Sequence, residues 1–233
     1  MKDYQEMSQR AGSIIIDLIT EKNDAVLGLA TGSTPVGMYQ SLIHAYQQGS
    51  VSFSNVKTFN LDEYVGLEKE DPNSYHHYMK ENLFKNINIS SKETYIPDGV
   101  AEDLEKECFA YEQKIRDAGK IDIQVLGLGL NGHIGFNEPG TSFSSRTHLI
   151  DLMESTRQAN ARFFESIEEV PTQAITMGIE TIMESKLILL LVSGGKKAPA
   201  LARLMNGEVT EDFPASILNR HPNVTIIADE AAC

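Results

Sequence analysis

The sequence predicts an α/β protein with a doubly wound, mostly parallel sheet flanked by helices. Short apolar segments rich in Val, Ile and Leu are typical of strands buried on both faces. They alternate along the chain with stretches of helical periodicity, which favours right-handed β-α-β crossovers within one sheet. Because no linker, low-complexity tract or internal repeat interrupts residues 1–233, we expect a single domain.

The predicted helices and strands follow one another regularly. Apolar residues at three- and four-residue steps from Tyr4 to Ile19 indicate an amphipathic first helix. Strands are predicted at 25–30, 56–61, 121–129, 186–192 and 223–228. Further helices are predicted in the stretch that ends at Tyr46 and over 73–84, 101–118, 156–164 and 197–205. Residues 141–156 carry no strong period, so we expect irregular structure there, within a lid-like segment of about 141–175.

Composition narrows the classes of function. The 233 residues are 41% hydrophobic and 23% charged, as in an ordinary soluble globular protein. A net charge of −13 argues against nucleic acid or an anionic membrane as partner, since both require clustered Lys and Arg. The longest aliphatic run, 187–192, is too short to span a bilayer, and the polar N-terminus lacks a signal-peptide core. Two cysteines, Cys108 and Cys233, do not suggest a disulfide framework, so a reducing cytoplasm fits best.

The glycine-rich segment 126–140, LGLGLNGHIGFNEPG, is the strongest candidate for a catalytic site. It follows a predicted buried strand, and ligand sites in open α/β sheets lie beyond the carboxyl ends of strands. Glycines separate three polar residues, Asn131, His133 and Glu138. An imidazole and a carboxylate on such a backbone are suited to proton transfer near neutral pH. The alternative is a glycine-rich turn that carries a surface histidine.

A second loop, ATGSTP at 30–35, lies between a predicted strand and a predicted helix. Its backbone N–H groups and the hydroxyls of Thr31, Ser33 and Thr34 suit an anion at a helix N-terminus. The same pattern also fits an ordinary Ser/Thr helix cap. Because neither glycine-containing loop matches a Walker loop or a GxGxxG fingerprint, a nicotinamide enzyme is disfavoured.

Several segments together resemble the glucosamine-6-phosphate deaminase family. They are GLATGSTP at 28–35, FNLDEYVGL at 59–67 and LGLGLNGHIGFNEPG at 126–140, with NSYHHYM at 73–79 and SRTH at 145–148. The similarity runs in order over nearly the whole chain, and the NGHIGFNEP block is highly specific. It implies a Rossmann-like fold and the conversion of glucosamine 6-phosphate and water into fructose 6-phosphate and ammonia. It implies no metal and no organic cofactor.

The resemblance also implies catalytic roles. The base that removes the C2 proton falls on Asp62, the ring-opening histidine on His133, and its supporting carboxylate on Glu138. Many members have Asp where this chain has Asn131, which lacks negative charge but can accept a hydrogen bond from the ring. We therefore expect a lower pKa for His133 than in Asp-bearing relatives. From the residues alone Glu63 is an equal candidate for the base, since only one of two neighbouring side chains can face the site. The resemblance selects Asp62, which leaves Glu63 as a solvated acid.

The resemblance implies a loop and two cations as ligands of the substrate phosphate: Thr31, Gly32, Ser33, Thr34, Arg162 and Lys197. Lys197 lies near a predicted helix N-terminus, where the helix dipole disfavours a cation, and such a misplaced charge suggests a function. Lys196 beside it is an alternative ligand. Metal binding by His76 and His77 is disfavoured because adjacent side chains on a helix point about 100° apart.

The matched segments further predict a short, non-allosteric type of enzyme. Larger family members are hexamers activated by N-acetylglucosamine 6-phosphate, whose phosphate is held by Arg and Lys. The matching segment here, SSRTHLIDL, has His148 and Ile150 at those places. Without the two cations the site would hold a dianion weakly, so we expect little activation and favour a monomer.

Two other functions stay open. A 6-phosphogluconolactonase shares the fold and a related Gly-His block, although lactone hydrolysis has no need for the carboxylate of FNEPG. A non-catalytic sugar-phosphate sensor, such as the effector domain of a transcription regulator, would need a basic helix-turn-helix segment, for which this acidic chain offers no candidate.

Overall fold

A six-stranded parallel sheet forms the centre of the molecule. The computed structural model describes residues 1–161 and 164–233. The strands are β1 (Val26–Leu29), β2 (Lys57–Asn60), β3 (Asp62–Tyr64), β4 (Thr94–Tyr95), β5 (Ile123–Gly127), β6 (His148–Asp151), β7 (Gln173–Thr176), β8 (Leu187–Val192) and β9 (Val224–Ala228). The helices are α1 (Tyr4–Glu21), α2 (Val36–Gln47), α3 (Tyr75–Asn82), α4 (Leu104–Asp117), α5 (Glu154–Asn160), α6 (Ile179–Met183) and α7 (Ala198–Asn206).

The strand order confirms the predicted doubly wound fold. The sheet runs β4-β2-β1-β5-β8-β9, and every neighbouring pair is parallel. Numbered along the chain within this sheet, the order is 3-2-1-4-5-6, that of a Rossmann-type sheet. The order reverses between β1 and β5. The loops after these two strands therefore flank the crevice in which such folds bind ligands.

A small antiparallel sheet, β3-β7-β6, covers part of the molecule beside this crevice. The sequence does not predict it, and the expectation of irregular structure over 141–156 is wrong where β6 forms. The physical reason is that β6 pairs with β7 alone and is only partly buried, so its residues show no apolar pattern. The predicted helices form, with shifted ends. For example, α4 begins at Leu104 because the Asp103 side chain accepts the Lys106 N–H as an N-cap.

The core lies on both faces of the parallel sheet. The strand residues of β1, β5 and β8 are almost fully buried, as their Val-, Ile- and Leu-rich sequences predict. Within the described residues, no helix combines the length and the apolar character that a membrane span requires.

Candidate active site

Asp62 stands where the chain leaves the parallel sheet and begins β3. It pairs with Thr176 of β7, and the Met177 N–H donates to the Leu61 carbonyl at 2.6 Å. Asp62 is only 6% exposed. Burial, and secondarily the neighbouring Glu63 carboxylate, raise the pKa of Asp62 to about 8. A carboxylate with a raised pKa is a stronger base than an exposed one, as abstraction of a proton beside a carbonyl requires.

Glu63 points away from Asp62 and is buried, so the expectation of a solvated acid is wrong. Its carboxylate accepts the backbone N–H groups of Tyr64, Tyr75 and His76, at 2.8–3.0 Å. It also lies 2.9 Å from the His76 ring Nδ1. Two of these donors belong to the first turn of α3, so the hydrogen bonds of Glu63 link β3 to that helix. The neighbouring carboxylates thus face opposite sides, as an extended segment predicts, and the structure presents Asp62 to the crevice.

Aromatic rings enclose this part of the crevice. The rings of Tyr64, Tyr75, Phe136 and Phe164 pack with centroids 4.9–6.2 Å apart. Burial is the main cause that raises the pKa of Tyr75, and the nearby Tyr64 and Asp62 add to it. The aromatic wall therefore removes water from the surroundings of Asp62, which is consistent with the raised pKa of that carboxyl group.

The loop after β5 is hydrogen-bonded to the end of β7, the strand that pairs with Asp62. The buried Asn137 amide donates to the carbonyls of Ile134 and Met177, and the Phe136 N–H donates to the Thr176 hydroxyl. Gly135 has a φ of +58°, and a Cβ there would lie 3.0 Å from the Thr176 hydroxyl oxygen and 3.6 Å from Asp62 Oδ2. The positive φ and the tight approach to Thr176 together favour glycine at this position. Two segments far apart in the sequence, around residues 62 and 133, are thereby brought together.

A chain of hydrogen bonds links His133, Asn131, Glu138 and Thr156. The Asn131 Oδ1 atom lies 2.7 Å from His133 Nδ1 and also accepts the His133 backbone N–H, at 3.2 Å. Asn131 Nδ2 donates to Glu138 Oε2 at 2.8 Å, and the Thr156 hydroxyl donates to the other oxygen, Oε1. Since an amide oxygen can only accept, His133 Nδ1 must carry the proton. The lone pair is then on Nε2.

This chain fixes the tautomer of His133 and leaves the Glu138 carboxylate without a direct hydrogen bond to the ring. The Glu138 Oε2 atom lies 3.7 Å from His133 Nδ1, and the Asn131 amide bonds to both groups. Packing of the ring in the crevice is the main cause that lowers the pKa of His133; Glu138 raises it, and Lys197 lowers it further. The ring thus favours the neutral form, a proton acceptor near neutral pH. Gly129 makes room for it, because a Cβ there would lie 2.4 Å from the ring.

The loop after β1 forms one side of a cavity of about 450 Å³. Pro35, not a Ser or Thr, is the N-cap of α2, and it makes no side-chain capping bond. The alternative of an ordinary Ser/Thr cap is therefore wrong for this helix. Ser193, which follows β8, adds a hydroxyl to the cavity and is held by Asp229. The cavity lining comprises Tyr4, Ser33, Thr34, Val36 and Ser193.

Lys197, which follows β8, contacts the loop after β5. It is half-buried, and its Nζ donates to the Leu128 carbonyl at 2.6 Å, whereas Lys196 is exposed. This placement favours Lys197 over its neighbour as the site cation. Arg162 lies outside the described residues. Among the residues that the structure describes, no group of three His, Cys, Asp or Glu side chains is placed to hold a metal ion.

The family model of glucosamine-6-phosphate isomerases and 6-phosphogluconolactonases matches residues 3–227. The chain belongs to this family. A curated glucosamine-6-phosphate deaminase of Oceanobacillus iheyensis is 63% identical over 99% of this chain and 92% of its own length. Glucosamine-6-phosphate deaminase 1 of Bacillus subtilis is 56% identical over 98% of this chain and 95% of its own length.

Solved structures of family members show the same architecture. A monomeric glucosamine-6-phosphate deaminase superposes with a TM-score of 0.98 at 56% identity, covering 100% of this chain and 96% of that one. The 6-phosphogluconolactonase of Thermotoga maritima has a TM-score of 0.77 at 22% identity, covering 98% and 96%, and shares the fold. The resemblance that the sequence motifs predict is thus confirmed.

Three polar residues near the crevice are not predicted from the sequence: Ser193, Thr156 and Tyr75. Ser193 follows a predicted strand, so the strand-end rule that singles out the other loops could have found it. Thr156 and Tyr75 carry no comparable signal. Thr156 reaches Glu138 only because α5 folds back onto the loop after β5, and Tyr75 belongs to a helix predicted on other grounds.

Proposed function

We propose that this protein is a glucosamine-6-phosphate deaminase, which converts glucosamine 6-phosphate and water into fructose 6-phosphate and ammonia. The observation that carries the proposal is the hydrogen-bond chain that leaves His133 Nε2 unprotonated, in the same crevice as the buried Asp62. Relatives that bear this name are 52–63% identical over nearly the whole chain.

The first step of the reaction opens the sugar ring. His133 Nε2 takes the proton of the anomeric hydroxyl, and the ring oxygen receives a proton as its bond to C1 breaks. Because Nδ1 stays bound to Asn131 throughout, the imidazole does not need to rotate between accepting and returning the proton. Glu138, one residue further along the chain of hydrogen bonds, stabilises the transient imidazolium.

The second step moves a hydrogen from C2 to C1. Asp62 removes the C2 proton of the open aldehyde, which leaves an enolamine, and protonation at C1 produces a C2 imine. Water then adds to the imine carbon, and ammonia leaves as the ketone of fructose 6-phosphate forms. The aromatic wall beside Asp62 keeps bulk water from the carboxylate during the abstraction.

The phosphate of the substrate occupies the cavity beside the loop after β1. Hydroxyls and backbone N–H groups of residues 31–34 bind it, and Lys197 supplies positive charge. We include Arg162 as a second cation on the family resemblance. Residues 1–233 act as one domain, of which about 141–175 forms a lid, and the enzyme works in the cytoplasm without a cofactor or nucleic acid partner.

We also propose that the enzyme is a monomer without allosteric activation. The structural neighbour at 56% identity is described as monomeric. His148 and Ile150 are neutral or weakly basic at the places where the activated members carry Arg and Lys, so the acetylated sugar phosphate should not change the rate. A sigmoidal rate curve that this compound makes hyperbolic would contradict the proposal.

The alternative functions are less well supported. A lactonase of the same fold would need the base and a water, yet here Glu138 is buried and bound on both oxygens within the His133 chain. This elaborate support of an imidazole favours ring opening. A sensor without catalysis would have no need for a buried carboxyl group with a raised pKa.

Ammonia release from glucosamine 6-phosphate tests the proposal. Wild-type protein should release ammonia and fructose 6-phosphate in equal amounts, and Asp62→Asn should lose turnover while still binding the sugar phosphate. Asp17→Asn, the same change on the exposed side of α1, is the matched control and should keep full activity. Turnover by Asp62→Asn equal to that of the control would overturn the assignment of the base.

A further inference from the structure

Three tyrosines from three different helices converge on the loop after β1. Tyr39 of α2 donates its hydroxyl to the Ala30 carbonyl at 2.5 Å, and Tyr78 of α3 donates to the Gly32 carbonyl at 2.6 Å. Tyr4 of α1 donates to the Ser33 carbonyl at 3.1 Å. Within four consecutive residues, three carbonyl oxygens are thus held by phenol groups.

These contacts decide where the N–H groups of the loop point. In a trans peptide the carbonyl of one residue and the N–H of the next are antiparallel, and the described chain contains no cis peptide. The N–H groups of Thr31, Ser33 and Thr34 must therefore point away from the tyrosine hydroxyls. None of these three donors has a partner among the described residues. Ser33 and Thr34 line the cavity of about 450 Å³.

Tyr4 makes a second contact, at the start of α2. Its oxygen also accepts the Gly37 N–H at 2.9 Å, in the first turn of α2. One donor of the helix end is thereby occupied by the protein itself. The donors left for a ligand are those of the loop, and three of the loop carbonyls, which would repel an anion, are bound by the tyrosines.

We propose that Tyr4, Tyr39 and Tyr78 are positioning residues that fix the loop at 30–34 for the substrate phosphate, an inference that rests on the proposed function. A Thr-Gly-Ser-Thr segment is otherwise free to turn its carbonyls toward the cavity, and ordering it on binding would reduce affinity. The three hydroxyls supply that order in advance. They act on binding of the phosphate end and not on proton transfer at the other end of the sugar.

Steady-state kinetics of Tyr→Phe variants test this inference. Tyr4→Phe and Tyr78→Phe each remove one hydroxyl, and their aromatic rings are kept. We expect the KM for glucosamine 6-phosphate and the inhibition constant of inorganic phosphate to rise together, by about 2- to 10-fold for each variant. At saturating substrate, kcat should change less than KM. Tyr46→Phe is the matched control. Tyr46 lies on α2 and packs against Phe53, away from the loop, so this variant should leave both constants unchanged.

The outcomes separate the two proposals. If both variants keep the wild-type KM and phosphate inhibition constant, the tyrosines serve only the fold and the inference is overturned, whatever their melting temperatures. A fall in kcat with unchanged KM would also overturn it, since the effect would then be on chemistry. If the wild-type protein neither deaminates the substrate nor binds inorganic phosphate, the proposed function itself fails.

Discussion

Replacement of Asp62 by Asn should make the protein more stable and remove its activity. The carboxyl group of Asp62 is buried beside a second carboxylate, so its ionised form is disfavoured in the folded state. Asn is close to Asp in shape and carries no charge. The substitution should therefore remove the unfavourable free energy of a buried, ionised carboxylate and raise the free energy of unfolding.

The size of the effect follows from the pKa of Asp62. The pKa rises from 3.8 to about 8 on folding, so between these pH values the folded state binds more protons than the unfolded one. Stability must then fall as pH rises through this window, by about 1.4 kcal/mol per pH unit. The relief from Asp62→Asn should be about 2 kcal/mol at pH 5 and about 4 kcal/mol at pH 7. For a chain of this length the pH 7 value corresponds to a rise in Tm of about 10 °C.

Urea unfolding of wild type and Asp62→Asn between pH 5 and pH 7 measures this difference. Glu63→Gln is an instructive comparison, because Glu63 accepts four hydrogen bonds in the fold and its loss should destabilise by about 2 kcal/mol. Neighbouring carboxylates should thus give changes of opposite sign. A stability difference for Asp62→Asn that is negative, or that does not grow with pH, would refute the reasoning.

Three further predictions concern the pH dependence and the rate. In the wild type, kcat/KM should rise with pH toward about 8 as Asp62 ionises. Glu63→Gln removes a neighbouring negative charge, so the rise should move to lower pH. A pH profile that does not move would argue against this coupling. Asn131→Asp places a carboxylate against His133 Nδ1 and should raise the pKa of that ring by about 1–3 units, measured by NMR titration; an equal or lower value would contradict it. Thr156→Val should lower kcat by about tenfold or more and Thr156→Ser should restore it, since the hydroxyl orients the carboxylate that supports the histidine; a Ser variant as slow as Val would show that the methyl group matters instead.

The parallel sheet could be predicted because its strands are buried on both faces. The runs that become β1 and β8 are apolar throughout, and only Gln124 interrupts the apolar run of β5; burial favours such sequences wherever helices cover both sides. The short strands β3 and β6 could not be predicted in the same way. They are three and four residues long, and their pairing with β7 depends on long-range contacts that no local pattern encodes.

The candidate site could likewise be predicted only in part: its key residues could be, but their partners could not. The residue type and the strand-end position of His133 point to catalysis, and the family motifs assign Asp62. The surroundings of these residues come from elsewhere in the chain. Glu63 is buried because backbone donors 12 and 13 residues later form the start of α3, and Glu138 gains a hydroxyl partner 18 residues later, on α5. Such partners follow from the tertiary fold, which the sequence predicts only in outline.

Two substrates distinguish a deaminase from a lactonase of the same fold. The wild-type protein is given glucosamine 6-phosphate in one reaction and 6-phosphogluconolactone in another, and the rate of product formation is measured in each. We expect equal amounts of ammonia and fructose 6-phosphate from the amino sugar, and no lactone hydrolysis above the uncatalysed rate. Rapid opening of the lactone with the amino sugar left intact would contradict it.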